Sequence, residues 1–329
     1  MSDTTTSADE VRHVSPSSAG RTRHRPAPGT PAGRTARKPR LRHLTNFLYL
    51  LPALGLVGGI IYYSVGYTFW LSLVNWDGIS PDIEFVGLDN FRKALSDPLV
   101  WATLKHSLIF AVVIFVQMGL GLLVAVLLHS RIRGRMIYKV IVFLPTILAT
   151  AVMAPVFRQI FAADGQLNSA LAAVGLDALQ QSWLGKPDLA LYTLMAINVW
   201  QWTGLSFILY YAGLTQIDVE VYEAARLDGA SNRRILTRII VPMMRATHAT
   251  LLILGVMGVL KTFDLVFLVT SGGPANSTEF LPTYIYETTI TRFDAGYGAA
   301  LSVILLALSL SFTVWQMRRY RRGAETRDV

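Results

Sequence analysis

Glu223-Ala224-Ala225-Arg226-Leu227-Asp228-Gly229-Ala230, followed by Pro242, is the stretch whose residue types ask most plainly for a partner. It lies in a basic loop between two long apolar segments, where a short polar turn would suffice. Paired alanines beside a carboxylate give a short helix a small-residue face, and Gly229 supplies a sharp stop. Ser231 then caps a second start, Asn232-Arg233-Arg234-Ile235-Leu236. A helix-turn-helix with such a face, held at a membrane surface, is a docking element for a cytoplasmic partner. An ordinary amphipathic loop helix would need neither the paired alanines nor the glycine at this spacing. A helix-turn-helix that reads DNA is at odds with the tether on either side.

Other chemistry is scarce. No Gly-x-x-x-x-Gly-Lys-Ser/Thr loop occurs, so nothing in the chain cradles ATP in the usual way. The chain has no cysteine, which removes disulfides, thiolate metal sites and thiol nucleophiles. No cluster of histidines and carboxylates falls in the apolar segments, and His106 and His248, near segment ends, read as solvated. No catalytic or metal site is expected.

The elements that must position the docking stretch are membrane spans. Hydrophobic residues make up 52% of 329, and the mean hydropathy is +0.42. Six stretches approach the ~20 apolar residues that cross a bilayer, at about 46–74, 104–130, 137–161, 189–214, 245–270 and 297–317. The fold expected is all-α, with six transmembrane helices and a cytoplasmic coupling helix in a loop at about 216–244. The net charge of +9 is distributed as topology rather than as a nucleic-acid surface. Arg131, Arg133, Arg135 and Lys139 follow span two, and Arg226, Arg233, Arg234, Arg238 and Arg245 follow span four. The N-terminal segment and the C-terminal tail are also basic, whereas the alternate loops hold only Arg92 and Lys93, then Lys186, then Arg292. By the positive-inside rule both termini are cytoplasmic in a multi-pass cell-membrane protein. Residues 1–43, rich in Arg, Pro, Ser and Thr, read as a disordered tail, 44–318 as the membrane domain and 319–329 as a second tail.

Within the spans, Pro145 and Pro155 of span three free backbone carbonyls and permit a kink. Span five is interrupted late by Lys261 and Asp264, which at i,i+3 spacing can neutralise each other. Phe85-Val86-Gly87-Leu88-Asp89-Asn90-Phe91 leads into a short amphipathic surface helix at 92–95. Thr270-Ser271-Gly272-Gly273-Pro274 forms a turn after span five. Gly296, Gly298, Ala299 and Ala300 let span six approach its neighbours closely.

Glu223-Ala224-Ala225, then Asp228-Gly229-Ala230, then Ile239, Val241 and Pro242 closely resemble the coupling-loop signature of ABC importer membrane subunits. Val241 stands where leucine is commoner. Phe85-Val86-Gly87-Leu88 with Asn90-Phe91, Phe143-Leu144-Pro145, Phe263-Asp264, Gly272-Gly273-Pro274 and Tyr297-Gly298-Ala299-Ala300 narrow the resemblance to the carbohydrate-importer permeases. It covers roughly residues 46–318, and the motifs fall in the family's order.

The resemblance implies that Glu223 makes a polar contact with an ATPase subunit, that Ala224 and Ala225 pack closely against it, and that Gly229 makes the turn, with Asp228 and Pro242 as further residues of the ATPase-coupling set. It places a sugar near mid-membrane and points to Thr146, Thr150, Asn198, Gln201, Trp202 and Thr262 as its path. Each has an ordinary reading too, since threonine bonds its own helix backbone and tryptophan marks the interface. The implied partners are cytoplasmic ATPase subunits that bind ATP and Mg, a second homologous permease in a heterodimer, an external solute-binding protein and the bilayer, with no nucleic acid. The chain itself would carry no cofactor. Rival expectations are an importer of a polyol or a glycerol-phosphate-type solute, and an ATP-independent secondary transporter.

Overall fold

The computed structural model describes residues 40–130 and 132–325. The tail expected at 1–43 lies outside the described residues except for Arg40–His43, which open a helix. The chain divides into two compact units, Met1–Leu56 and Val57–Val329. In the first, α1 (Arg40–Val57) is helical through Pro52.

The second unit begins with a π-helical segment, Gly58–Tyr62, and α2 (Tyr63–Leu71). A two-residue ladder follows, β1 (Val74–Asn75) antiparallel to β2 (Glu84–Phe85), with Val74 opposite Phe85. Then α3 (Asp89–Ser96) forms where the short surface helix was expected. It is anchored rather than free: Asn90 is buried and donates from Nδ2 to the Ser72 and Val74 carbonyls at 3.0 and 2.9 Å.

Span two starts earlier than expected. Asp97 accepts from the Leu99 amide at 2.8 Å and Pro98 occupies the first turn, so α4 (Pro98–Phe110) opens with a strong cap and proline where its missing N–H is harmless. α5 (Val112–His129) continues it. The Asp97 carboxylate also accepts from Tyr284 and Tyr297, at 2.6 and 2.8 Å. Burial pulls its pKa upward, but the bonds from Tyr284, Tyr297 and the Leu99 amide outweigh that, leaving it below the ordinary aspartate value.

Span three is not one kinked helix. α6 (Arg135–Ile147) and α7 (Thr150–Ile160) meet at 96°. Leu148 and Ala149 are extended, and the Leu148 amide reaches only as far back as the Pro145 carbonyl, 3.3 Å. After α8 (Gln166–Ala173), α9 (Pro187–Thr215) runs unbroken for 29 residues. At 1.5 Å per residue α9 is about 43 Å long, but it carries Thr193, Gln201 and Ser206 buried inside.

The loop after α9 folds as expected into α10 (Val219–Leu227), a turn, and α11 (Asn232–Ile235). Through a π segment, Leu236–Ile240, it continues into α12 (Val241–Met243), and α13 (Arg245–Leu260) departs at 65°. Span five is therefore shorter than expected: Lys261–Phe263 break the helix, and α14 (Asp264–Val269) is a separate piece. The glycine-proline turn leads to α15 (Leu281–Tyr286) and then α16 (Ala295–Glu325), which runs past the expected end of span six and into the residues expected to form a tail.

By length and composition, three described helical stretches can cross a membrane (Tyr49–Leu71, Pro98–His129 and Ala295–Arg318), or five if each bent pair is one span. Six uniform spans are not what the helices show. Three internal clusters pack the described helices, the smallest joining Val100, Leu281, Tyr284, Tyr297 and Leu301. Of the two larger ones, one gathers Phe110, Val113, Leu194, Ile197, Val266 and Phe280, and the second gathers Ala125, Phe207, Tyr210, Leu214, Ala225, Ile240 and Met244.

Candidate functional site: an amide-lined cavity joined to a docking turn

Among α4, α5, α7, α9, α13 and α14 lies a cavity of about 330 Å³. Five of the six residues expected on a solute path line it: Thr150, Asn198, Gln201, Trp202 and Thr262. Thr146 does not line it. Its hydroxyl donates to the Gln201 carbonyl at 2.8 Å and so fixes α6 against α9. The approach is close because residue 204 is glycine: a methyl there would come within 2.5 Å of Thr146 Oγ1 and 2.6 Å of the Val142 carbonyl.

Gln201 is buried and completes the joint. Its Nε2 donates to Thr150 Oγ1 at 3.3 Å and to the Leu148 carbonyl at 3.4 Å. That carbonyl belongs to the extended break between α6 and α7, so the amide provides a partner for backbone exposed by the bend. Thr262, just past the end of α13, donates to the Gly258 carbonyl four residues back at 2.9 Å, the ordinary threonine bond. Trp202 is 40% exposed, with its indole on the lining.

Three lining residues were not singled out as solute contacts from the sequence. Gln117 is buried, and its Nε2 donates to the Asn198 carbonyl and to Asn198 Oδ1, at 3.0 and 2.8 Å. It was legible as a lone amide in the apolar run of span two, a position that is costly without a role. Ser206 gave no such signal. Asp264 was read as half of a neutral pair, but no ion pair joins it to Lys261 among the described residues, and both are exposed.

The helical turn from Val219 to Ile235 is closed at both of its joints. The Ala230 amide bonds the Ala225 carbonyl and the Gly229 amide bonds the Arg226 carbonyl, each at 3.0 Å, a Schellman closure with Gly229 at φ +73°. Ser231 Oγ caps the next helix at the Arg234 amide, 3.4 Å. Of the six residues expected here, Ala225 is buried against the cluster of span ends, while Glu223, Ala224, Asp228, Gly229 and Pro242 are exposed. The paired alanines are thus split, with one facing in and one facing out. Leu227, at 88% exposed, is the most prominent apolar side chain on the turn.

α10 is held to the spans by rings. Tyr222 stacks on His129 at the end of α5, centroids 6.3 Å apart, and His129 meets Tyr211 of α9 edge-on at 6.1 Å. Lys139 Nζ of α6 sits 3.6 Å over the Tyr211 ring. His248, expected to be solvated, is instead built into the 65° bend. Its Nε2 donates to the Val241 carbonyl at 3.0 Å, which requires the proton on Nε2 and leaves Nδ1 to accept from Tyr210 Oη at 2.7 Å. His106 is likewise engaged, its Nδ1 2.8 Å from the Glu279 carbonyl.

A multi-pass helical protein with broken spans around a polar cavity, and with a capped helical turn packed against the span ends, belongs to the class of membrane transport subunits. Residues 117–322 match the family of binding-protein-dependent transport system inner membrane components, and the chain belongs to that family. It is 31% identical over 291 residues to the lactose transport system permease protein LacF of Rhizobium radiobacter, covering 86% of this chain and 97% of that one. It is also 31% identical over 281 residues to the trehalose/maltose transport system permease protein MalF of Thermococcus litoralis, covering 84% and 94%. The fold is similar to a bacterial ABC transporter that imports the acidic polysaccharide alginate, with a TM-score of 0.74, 21% identity and coverage of 86% and 96%.

Proposed function

We propose that this chain is the membrane-spanning permease subunit of an ATP-driven, binding-protein-dependent importer that moves a sugar or oligosaccharide by alternating access. One observation carries the reading. The bent run from Asn232 to Leu260 joins the docking turn at one end to the cavity wall at the other, where Leu251, Leu254, Gly255, Gly258 and Val259 contribute lining. A displacement of the turn has a covalent route to the cavity, with the His248 bonds as the pivot. Separate cytoplasmic ATPase subunits would bind ATP and Mg and grip the turn at Glu223, Ala224, Asp228 and Gly229. An external binding protein would deliver the solute, a second homologous permease would complete a heterodimer, and both termini would be cytoplasmic. The solute path would run over Thr150, Asn198, Gln201, Trp202 and Thr262, with Thr146 holding the wall. Amides and hydroxyls suit sugar hydroxyls, and an indole face suits a sugar ring. Family membership does not favour an ATP-independent secondary transporter.

The test is affinity purification of the tagged chain from mild-detergent extract of its own membranes. Stoichiometric recovery of an ATPase and a second permease, with sugar-stimulated ATP hydrolysis, is the expected result. Repeated recovery of the chain alone, from membranes where it supports uptake, would overturn the reading.

A further inference from the structure

The relatives leave the charge of the solute open, since lactose is neutral and alginate is acidic. The cavity is more particular. Its lining contains no lysine, arginine or histidine, and Asp264 is its one charged residue. The other polar groups are uncharged amides, hydroxyls and an indole: Gln117, Asn198, Gln201, Thr150, Ser206, Thr262 and Trp202. Asp264 stands in the first turn of α14, just after the break at Lys261–Phe263, and no ion pair among the described residues neutralises it. Lys261, the nearest cation in sequence, contributes nothing to the lining.

Asp264 is exposed, but a carboxylate at a protein surface still acts on a charge within a few ångströms, because the effective dielectric beside apolar walls lies well below that of bulk water. A carboxylated or phosphorylated solute entering this space would meet a like charge and find no cationic partner for its desolvated anion. An uncharged polyhydroxylated solute meets no such barrier and can donate a hydroxyl to the Asp264 oxygens. We infer that Asp264 is a specificity-determining residue that restricts this permease to solutes without negative charge, neutral saccharides above all. The glycerol-phosphate class is excluded by the same carboxylate. This deepens the importer reading above and rests on it.

The test uses the full-length chain, purified with whatever subunits accompany it and placed in nanodiscs. The probes are two matched pairs, maltose with maltobionate and lactose with lactobionate, which differ by a carboxylate and an opened terminal ring. Saturation-transfer NMR reads weak binding of each. The wild-type chain is expected to favour the neutral member of at least one pair by roughly tenfold or more. Asp264→Asn should bring the two members to within roughly threefold, and Asp264→Glu should keep the preference. Because all four sugars meet the same lining, the shift between variants isolates the charge from the opened ring.

Equal or stronger binding of the bionates by the wild-type chain would overturn the inference while leaving the importer reading intact. So would a preference for the neutral sugar that survives Asp264→Asn unchanged. No saturation transfer from any of the four sugars, in a sample that hydrolyses ATP, would instead overturn the sugar reading, and the inference with it.

Discussion

Replacing Gly229 by alanine isolates the closure of the docking turn from everything around it. A methyl group at that position meets no atom within 4 Å, so no steric term enters. What remains is the φ of +73°, which an L-residue adopts at a penalty of about 1–2 kcal/mol. Part of that is offset, because alanine also narrows the unfolded ensemble by about 0.4–1 kcal/mol. The net cost is about 1 kcal/mol, or roughly a fivefold increase in the open population of the turn. Hydrogen exchange at the Ala230 amide, which bonds the Ala225 carbonyl, reads that population directly. Exchange should accelerate about fivefold in Gly229→Ala, and less in Gly229→Asn, because asparagine tolerates the left-handed region better. If the turn transmits force, ATP hydrolysis should persist while uptake per ATP falls. Unchanged exchange in Gly229→Ala, or a larger change in Gly229→Asn, would refute the closure argument. Faster exchange with fully coupled uptake would refute the role of the turn in transmission.

Gly204→Ala forces a methyl to 2.5 Å from Thr146 Oγ1, an overpacking cost of about 1–3 kcal/mol; thermal unfolding should show it, and sugar uptake should fall while membrane insertion persists. Gly119→Ala, where a methyl meets nothing within 4 Å, is the matched control and should be near neutral in both assays. Glu223→Lys reverses an exposed charge on the docking face and should abolish ATPase recovery or ATP-coupled uptake with stability unchanged; normal values for both would remove Glu223 from the contact. Glu279 is 3% exposed, and burial raises its pKa, reinforced by the Glu287 charge and opposed by the Thr283 bond and by Arg292. With the folded pKa raised, its contribution to stability is full below the ordinary glutamate value of about 4.3 and is lost as pH rises through the folded value. Glu279→Gln should therefore raise the unfolding temperature at pH 8 by a few degrees and leave it little changed near pH 4, and a gain confined to acid pH would contradict the burial argument.

The geometry of the helical turn around Gly229 was legible because its information is local: Gly229 needs a left-handed position, Ser231 needs an amide to cap, and both lie within a few residues of their partners. The cavity was half legible. Proline positions and lone polar residues marked where the spans depart from plain apolar helix, and Thr150, Asn198, Gln201, Trp202 and Thr262 do converge. What eluded sequence reasoning depends on pairing between distant elements. Gln117 finds Asn198 across 81 residues, and Thr146 finds the Gln201 carbonyl across 55. The 96° break was under-read because a proline licenses anything from a kink to a full stop, and the choice lies with the neighbour that can satisfy the Leu148 carbonyl. His248 was misplaced for the same reason, since nothing local announces a carbonyl freed by a bend.

The hydrogen-bond inventory of the cavity has a consequence for how firmly anything is held there. Both amide protons of Gln117 and both of Gln201 are already given to protein oxygens, as is the hydroxyl proton of Thr262. A passing molecule meets the amide oxygens that these bonds leave over, together with the side chains of Asn198, Trp202 and Thr150, and it gains contacts without displacing the bonds that keep the wall standing. In the proposed cycle the compartment is emptied at each turn, and release then requires only that the walls part, since the bonds within the wall stay as they are.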